Sequence, residues 1–174
     1  RFPSAKSVVL LMWEKAKDFL TRAFTVIFMA TVIIWFMQTF DTRLNVVENS
    51  ADSILAALGR LVSPIFAPLG FGDWRMVTAL VSGFTAKEAV VSTFGVILGV
   101  STEQLGIALH SLFTTASAAS FLAFCLLYTP CVAAVSTIKT ELKSGWKTVG
   151  IVFAQCLVAW LAAFMVYHVG LLLT

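Results

Sequence analysis

Long stretches without a charged residue alternate with short polar ones along this chain. Residues 23–40, 104–138 and 148–174 contain no Asp, Glu, Lys or Arg. A helix needs about 20 apolar residues to cross the hydrocarbon core of a bilayer, so each of these stretches is able to hold a span. The pattern predicts an all-α integral membrane protein with about four main transmembrane segments.

The short polar stretches divide the chain into an amphipathic interfacial helix at residues 1–22 and a transmembrane domain at 23–174. Residues 54–72 contain two prolines and three glycines and are too interrupted to span, so a re-entrant or interfacial segment is expected there. The remaining expected segments are spans at 23–40 and 148–173 and broken spans at 74–99 and 113–138.

Composition agrees with the hydropathy pattern and excludes an ordinary soluble domain. The chain is 59% hydrophobic and 12% charged, whereas soluble domains are roughly one-quarter charged. The net charge is +3, and basic residues concentrate before residue 23, which favours a cytoplasmic N-terminal segment. Three cysteines lie in apolar stretches without disulfide or zinc spacing. Because the first residue is Arg rather than Met, we expect a piece of a longer protein.

The stretch "GFTAKEA" at residues 83–89 predicts a first helix interruption. Gly83 is expected to end one half-helix at about 74–82, and a second half-helix is expected at about 86–98. Thr85 and Glu88 have the T-x-x-E spacing of a capping box. Capping alone would explain Glu88, and that interpretation stays open here.

A second interpretation gives Glu88 a functional role. Thr78, Thr85 and Ser92 recur every seven residues, and Glu88 falls on the same small, polar face. An ionised carboxylate within a bilayer is costly unless it faces partners or a wet cavity. We therefore expect Glu88 to point into the protein, while Lys87 snorkels or pairs elsewhere.

The stretch "YTPC" at residues 128–131 predicts a second interruption. Pro130 lacks the amide that a continuous helix needs, and Thr129 is a good N-cap for a new half-helix. Cys131 then falls in the first turn, where the helix N-terminus favours a thiolate. The alternative is a plain proline kink beside an inert cysteine. Cys156 is interpreted as a packing residue.

Two interrupted helices in one chain are typical of secondary transporters, whose substrate sites lie where discontinuous helices expose backbone groups. A carboxylate, a thiolate and freed carbonyl oxygens together favour a divalent transition metal. His110 and His168 lie near segment ends, where each is either an entry ligand or an ordinary interfacial histidine.

With "GFGDWRMVTALVSGFTAKEAVVSTFG" and "LLYTPCVAAVSTIKTELKSGWKT", the chain resembles the ferrous iron transport protein B family. The resemblance is to the C-terminal half of the membrane domain, with the second of two Gate repeats. It implies Fe²⁺ uptake across a bacterial inner membrane by a multi-pass protein. Intact family members also carry a cytosolic GTP-hydrolysing domain. Since G-x-x-x-x-G-K-[ST] does not occur in these 174 residues, we expect this segment neither to be an enzyme nor to bind GTP itself.

The resemblance also assigns candidate residues and partners. Cys131 and Glu88 would line the ion path, and Gly83 and Pro130 would break the helices. Secondary candidates for the path are Cys125, Thr85, Ser92 and Thr129. The implied partners are the lipid bilayer, the N-terminal half of the transporter with its GTPase domain, and Fe²⁺ as substrate. No nucleic acid and no permanently bound cofactor are expected, and homo-oligomerisation stays open.

Two other functions remain as alternatives. The Gate motif also occurs in nucleoside transporters, and a non-transporting membrane assembly module would use broken helices as packing devices. A nucleoside site would need several amide and hydroxyl side chains to hold ribose and base. The interrupted segments offer mainly a thiol and one carboxylate, which favours a metal ion.

Overall fold

A computed structural model describes residues 4–128 and 131–173, and this part of the chain contains eight α-helices and no β-strand. The helices are α1 (Ala5–Thr39), α2 (Ile54–Phe66), α3 (Trp74–Gly83), α4 (Ala89–Leu98), α5 (Thr102–Leu112), α6 (Thr115–Leu127), α7 (Val132–Leu142) and α8 (Gly145–Leu173). The expected all-α architecture is thereby confirmed. By length and composition, the described residues hold two helical stretches able to cross a membrane, or up to four if each bent helix pair is one span.

Helix α1 runs without interruption through the expected boundary between residues 1–22 and 23–40. No glycine or proline occurs between Ser4 and Thr39, so nothing in this stretch breaks the helix. The amide of Ser7 donates to the hydroxyl of Ser4, which caps the N-terminus at 3.3 Å. The described side chains of α1 are exposed or half-buried. The division of α1 into interfacial and spanning parts stays a prediction.

Sharp bends join two other pairs of neighbouring helices, and the expected broken span at 74–99 stays a prediction. Helix α2 and the following 3-10 turn (Ala67–Leu69) bend by 103° into α3, and α4 bends by 79° into α5. Gly70 and Gly99 lie at these two corners with φ of 82° and 64°. Glycine adopts such left-handed backbone readily, which explains why the chain turns there. The expected segment 54–72 is thus one helix that continues past Pro64 and then turns into α3.

Helices α6 and α8 pack closely through small residues. Ala159 and Ala163 of α8 are fully buried, and the hydroxyl of Ser120 donates to the carbonyl of Ala163 at 2.9 Å. A Cβ added to Gly170 would lie 3.0 Å from the Cβ of Ala116. Because lipid tails are as apolar as side chains, helices in a bilayer associate through such close packing and interhelical hydrogen bonds.

Aromatic side chains join the bent pairs to α6. Phe121 contacts the rings of Phe71, Phe94 and Phe113 at centroid distances of 5.4, 5.8 and 5.1 Å. Edge-to-face and tilted ring pairs at such distances are favourable beyond the area that they bury. The indole of Trp160 in α8 donates to the carbonyl of Ile65 at the end of α2, at 3.0 Å. These contacts fix the position of α6, whose C-terminus forms part of the site described below.

We predict that Ala163→Leu destabilises the folded protein because the larger side chain does not fit between α6 and α8. Overpacking of this kind costs about 1–3 kcal/mol. The measurement is the fraction of monodisperse protein left after heating in detergent. Ala154→Leu is the matched control, since Ala154 is an exposed residue of the same helix. Equal loss in the two variants would contradict the packing argument.

Candidate functional site

The first interruption lies where expected, but its caps differ from the prediction. Helix α3 ends at Gly83 and α4 begins at Ala89, so residues 84–88 form a connection. The hydroxyl of Thr85 donates back to the carbonyl of Ser82, and Glu88 occupies the N-cap position of α4. The predicted capping box is therefore wrong, because the Thr85 hydroxyl binds the carbonyl end of α3 rather than the amide end of α4.

Lys87 pairs away from Glu88, as one of the two expectations for it had it. The Lys87 ammonium donates to the carbonyl of Cys125 at 2.8 Å and to that of Leu126 at 3.2 Å, whereas Glu88 is exposed. Both carbonyls belong to the last turn of α6, whose partial negative charge attracts a cation and repels a carboxylate. Glu88 is not buried within this chain, and both its expected position inside the whole protein and its role in an ion path stay predictions.

The second interruption separates α6, which ends at Leu127, from α7, which begins at Val132. Thr129 and Pro130 lie outside the described residues, so their roles as cap and helix breaker stay predictions. Cys131 is half-buried at the N-cap of α7, one position before the first turn in which the sequence placed it. Its carbonyl accepts from the amide of Val135 at 3.1 Å, which begins the hydrogen bonding of α7.

The two interruptions contact each other directly. The amide of Val132 donates to the carbonyl of Phe84 at 3.0 Å, and the Tyr128 hydroxyl donates to the carbonyl of Leu80 at 3.4 Å. The Lys87 ammonium also lies 5.0 Å from the centre of the Tyr128 ring. We call residues 84–88, 125–128 and 131–132 the break junction. It brings carbonyl oxygens, an ammonium, a thiol-bearing helix start and an aromatic ring into one place.

Gly83 has a spatial role at the break junction. Its φ is not in the left-handed region, unlike those of Gly70 and Gly99. A Cβ at Gly83 would lie 2.8 Å from the Tyr128 hydroxyl oxygen and would collide with the side chain of Val90. Glycine is thus needed there so that the start of α4 and the end of α6 can approach the end of α3.

A cleft of about 820 Å³ opens beside the break junction between α4, α5 and α6. Its walls are largely apolar, and Lys87, His110, Cys125 and Tyr128 are its titratable lining residues. His110 is exposed and Cys125 is half-buried. Within the described residues, no group of three or more His, Cys, Asp and Glu side chains is placed to hold a metal ion.

The predicted seven-residue face does not form a single surface, because the connection at 84–88 interrupts it. Thr78 is buried in α3, whereas Ser92 is exposed in α4 and donates to the carbonyl of Ala89 at 3.1 Å. The hydroxyl oxygens of Thr78 and Ser82 are buried and have no hydrogen-bond partner in the described part of the chain. When a seven-residue period is extended across a helix break, it therefore overestimates how many side chains lie on one face.

Cys156 and His168 both lie on α8. Cys156 is half-buried and lines a second cleft of about 650 Å³, which is apolar throughout. His168 is exposed, and its Nδ1 lies 2.9 Å from the carbonyl oxygen of Phe164. The second cleft is also lined by Phe84, Thr85 and Tyr128 of the break junction, so Cys156 lies on the side of the junction that faces α8.

Sequence reasoning missed Lys87 and Tyr128 as parts of the site. A signal for Lys87 was present, since a cation in an apolar segment needs acceptors and a broken helix exposes carbonyl oxygens. Tyr128 directly precedes "TPC" and bears a hydroxyl that needs a partner when buried. What the sequence lacked was the information that the two interruptions meet.

These features define an all-α protein domain whose described residues hold two to four apolar helical stretches able to cross a membrane. The chain belongs to the Gate family, whose description is nucleoside recognition and whose family model matches residues 20–145.

The chain is also similar to several proteins with established names. The Fe(2+) transporter FeoB of Staphylococcus aureus strain COL is 38% identical over 172 residues, covering 98% of this chain and 26% of that protein. The Fe(2+) transporter FeoB of Methanocaldococcus jannaschii is 32% identical over 178 residues, again covering 98% and 26%. A Fe(2+) transport protein A/Fe(2+) transporter FeoB fusion protein of Porphyromonas gingivalis is 29% identical over 221 residues, covering 99% and 26%.

These relatives confirm the resemblance that the two motifs indicated. The chain spans about a quarter of the length of each of them. No solved structure matches the chain.

We predict that Gly83→Ala destabilises the break junction, because the added methyl group collides with Val90 and crowds Tyr128. The expected cost is about 1–3 kcal/mol, measured as thermal stability in detergent. Gly150→Ala is the matched control, since a Cβ there meets nothing within 4 Å. In a helix interior, alanine is more favourable than glycine by up to about 1 kcal/mol, so Gly150→Ala should be neutral or stabilising. A neutral Gly83→Ala variant would show that Gly83 is not needed for close approach.

Proposed function

We propose that this chain is the C-terminal part of the membrane domain of a ferrous iron uptake transporter, where it forms part of the ion path. The observation that carries the proposal is the 38% identity over 98% of the chain to a protein named Fe(2+) transporter. The proposed setting is a multi-pass protein of a bacterial inner membrane. GTP binding and hydrolysis are assigned to a domain outside this chain, and Fe²⁺ is the transported substrate.

The break junction supplies oxygen ligands of the kind that a cation needs when it loses its hydration water. The last turn of α6 ends without intrahelical partners for its carbonyl oxygens, and those of Cys125 and Leu126 already bind an ammonium. Carbonyl oxygens that replace the water around an ion are a recurring device of membrane ion paths. The contact between two interrupted helices therefore supports a cation path at this point.

Cys131 gives the proposed path its preference for a transition metal. Cys131 lies at the N-cap of α7, where its sulfur is proposed to serve as a metal ligand. Thiolate ligands favour soft or borderline ions such as Fe²⁺ and Zn²⁺ over Mg²⁺ and Ca²⁺. A half-buried thiol next to a break is also positioned to be reached through a path that is wet at least intermittently.

Glu88 is proposed to face the rest of the transporter. It is exposed on this chain, while the chain spans about a quarter of its relatives. An ionised carboxylate in a membrane requires a polar partner or water. A path formed between this chain and the remainder of the protein would place Glu88 on its wall and Cys131 nearby at the break junction.

Ferrous iron is favoured over the nucleoside that the family description names. The relatives reported above are named as Fe(2+) transporters. The break junction offers backbone carbonyl oxygens, thiols and the carboxylate of Glu88, and its residues include no amide side chain with which to bind a base. Uptake of radioactive iron and of labelled nucleosides by the intact transporter in vesicles discriminates the two functions, and the assembly module would take up neither.

We predict that Cys131→Ser lowers Fe²⁺ uptake by the intact transporter about tenfold or more, the scale typical for perturbed metal sites. A hydroxyl is a poor replacement for a thiolate at a borderline metal. The measurement is the initial rate of uptake per folded molecule in proteoliposomes. Cys156→Ser is the matched control and should keep near-normal uptake, since Cys156 lines an apolar cleft. Equal uptake by the two variants would remove Cys131 from the path.

Glu88→Gln tests the carboxylate separately from folding. Glutamine keeps the shape of the side chain and the ability to accept a hydrogen bond, but not the charge. We expect lower Fe²⁺ uptake per folded molecule, with thermal stability changed by about 1 kcal/mol or less, as for a lost cap. Glu103→Gln, at an exposed carboxylate in the first turn of α5, is the control. Unchanged uptake in Glu88→Gln would leave Glu88 without a role in the path.

A further inference from the structure

The Lys87 ammonium is bound by carbonyl oxygens and an aromatic ring, which are groups that also bind free cations. Its ammonium donates to two carbonyl oxygens, of Cys125 at 2.8 Å and of Leu126 at 3.2 Å, and it lies 5.0 Å from the centre of the Tyr128 ring. An ammonium has three N–H donors, and two carbonyls with one aromatic face offer three acceptors. Lys87 thus fills a ready-made cation position at the C-terminus of α6.

The charge of Lys87 is balanced by dipoles rather than by a carboxylate. Within residues 4–128 and 131–173, the ion pair that the structure contains joins Arg75 to Asp73. Lys87 is held by the two α6 carbonyls and the Tyr128 ring, whereas its sequence neighbour Glu88 is exposed. A position that stabilises one cation by dipoles also attracts another cation, since the partial charges of the helix end remain when the first cation leaves.

Lys87 is also placed so that it can leave this position. It lies in the connection at 84–88, between α3 and α4, and not within a helix. Its ammonium is carried on a flexible four-carbon stem. Withdrawal of the side chain would break two hydrogen bonds and one ring contact without unwinding either helix.

We propose that Lys87 is an internal competitor of the transported cation. In the state described here its ammonium occupies the carbonyl oxygens of Cys125 and Leu126, and a divalent cation takes those oxygens when Lys87 withdraws. Lys87 thereby closes the path in the absence of substrate. The cation concentration that opens the path then depends on how strongly Lys87 competes for the two carbonyl oxygens. This inference rests on the proposed transport function and adds the residue that regulates the site.

A purely structural clamp is the competing explanation, and it makes the opposite prediction about metal. A clamp remains in place when the cation binds elsewhere, so Lys87 would stay protected. A competitor is displaced, so its amine becomes more accessible as the cation concentration rises. The two explanations therefore predict different effects of added cation on the reactivity of Lys87 in the unmodified protein. A competitor becomes more reactive, and a clamp does not.

That measurement is the acylation rate of individual lysines in the purified, intact wild-type transporter, followed by mass spectrometry. Fe²⁺ alone is titrated under oxygen-free, reducing conditions. Lys147 is the internal reference, because its side chain is exposed on α8. Without metal, Lys87 should react more slowly than Lys147. With saturating Fe²⁺ the Lys87 rate should rise severalfold while that of Lys147 stays constant. A Lys87 rate that is unchanged or lowered by Fe²⁺ overturns the proposal.

Uptake by variants gives the second arm of the test. If Lys87 occupies the carbonyls nine-tenths of the time, Lys87→Met should lower the half-saturating Fe²⁺ concentration about tenfold, because the competent fraction rises to one. Lys87→Arg retains the competing charge and should not lower it. Lys147→Met should match wild type. A half-saturating concentration that is unchanged or raised in a folded Lys87→Met protein overturns the proposal.

The two arms separate this inference from the proposed function. If wild-type protein takes up no Fe²⁺, the transport proposal fails, whereas the acylation titration still decides whether a cation displaces Lys87. If wild-type protein takes up Fe²⁺ but Lys87 stays protected, transport stands and the competitor role fails. Should Lys87→Met not fold, the acylation titration on the wild-type protein decides the matter alone.

Discussion

The structure depends on one constraint, which is that backbone groups freed by a broken helix must find partners where water is scarce. At the break junction these partners come from the opposite interruption. The amide of Val132 binds the carbonyl of Phe84, and the Lys87 ammonium binds carbonyls at the end of α6. Each interruption therefore supplies hydrogen-bond donors for carbonyl oxygens of the other. Without these donors, neither interruption would be stable in an apolar environment.

Close packing lets the two breaks meet. Gly83 leaves room for Tyr128 beside the end of α3, and Ala159 and Ala163 bring α8 against α6. The aromatic cluster around Phe121 then holds α6 against the bent helix pairs. Small residues at the crossings and large rings between them thus position the carbonyl end of α6, on which the candidate cation site depends.

The break junction also explains why a lysine and a glutamate stand side by side in so apolar a chain. Neighbouring residues point in different directions, so Lys87 is able to bind the end of α6 while Glu88 faces outward. The Lys87 ammonium compensates the partial negative charge at the C-terminal end of α6. The outward carboxylate, together with the exposed α1, belongs to surface that the rest of a protein about four times as long is proposed to cover.

The sequence alone determined the helical class, the location of both interruptions and the resemblance to ferrous iron transporters. Hydropathy and the effects of glycine and proline act locally, and "GFTAKEA" and "YTPC" carry them within a few residues. The tertiary structure decided that α2 bends into α3 and α4 into α5, that α1 continues unbroken, and that Lys87 binds the end of α6 while Glu88 is exposed on this chain. Side-chain direction at a break depends on the charge of whatever lies opposite. That was the carbonyl end of α6, about 40 residues away in sequence and in contact only after folding.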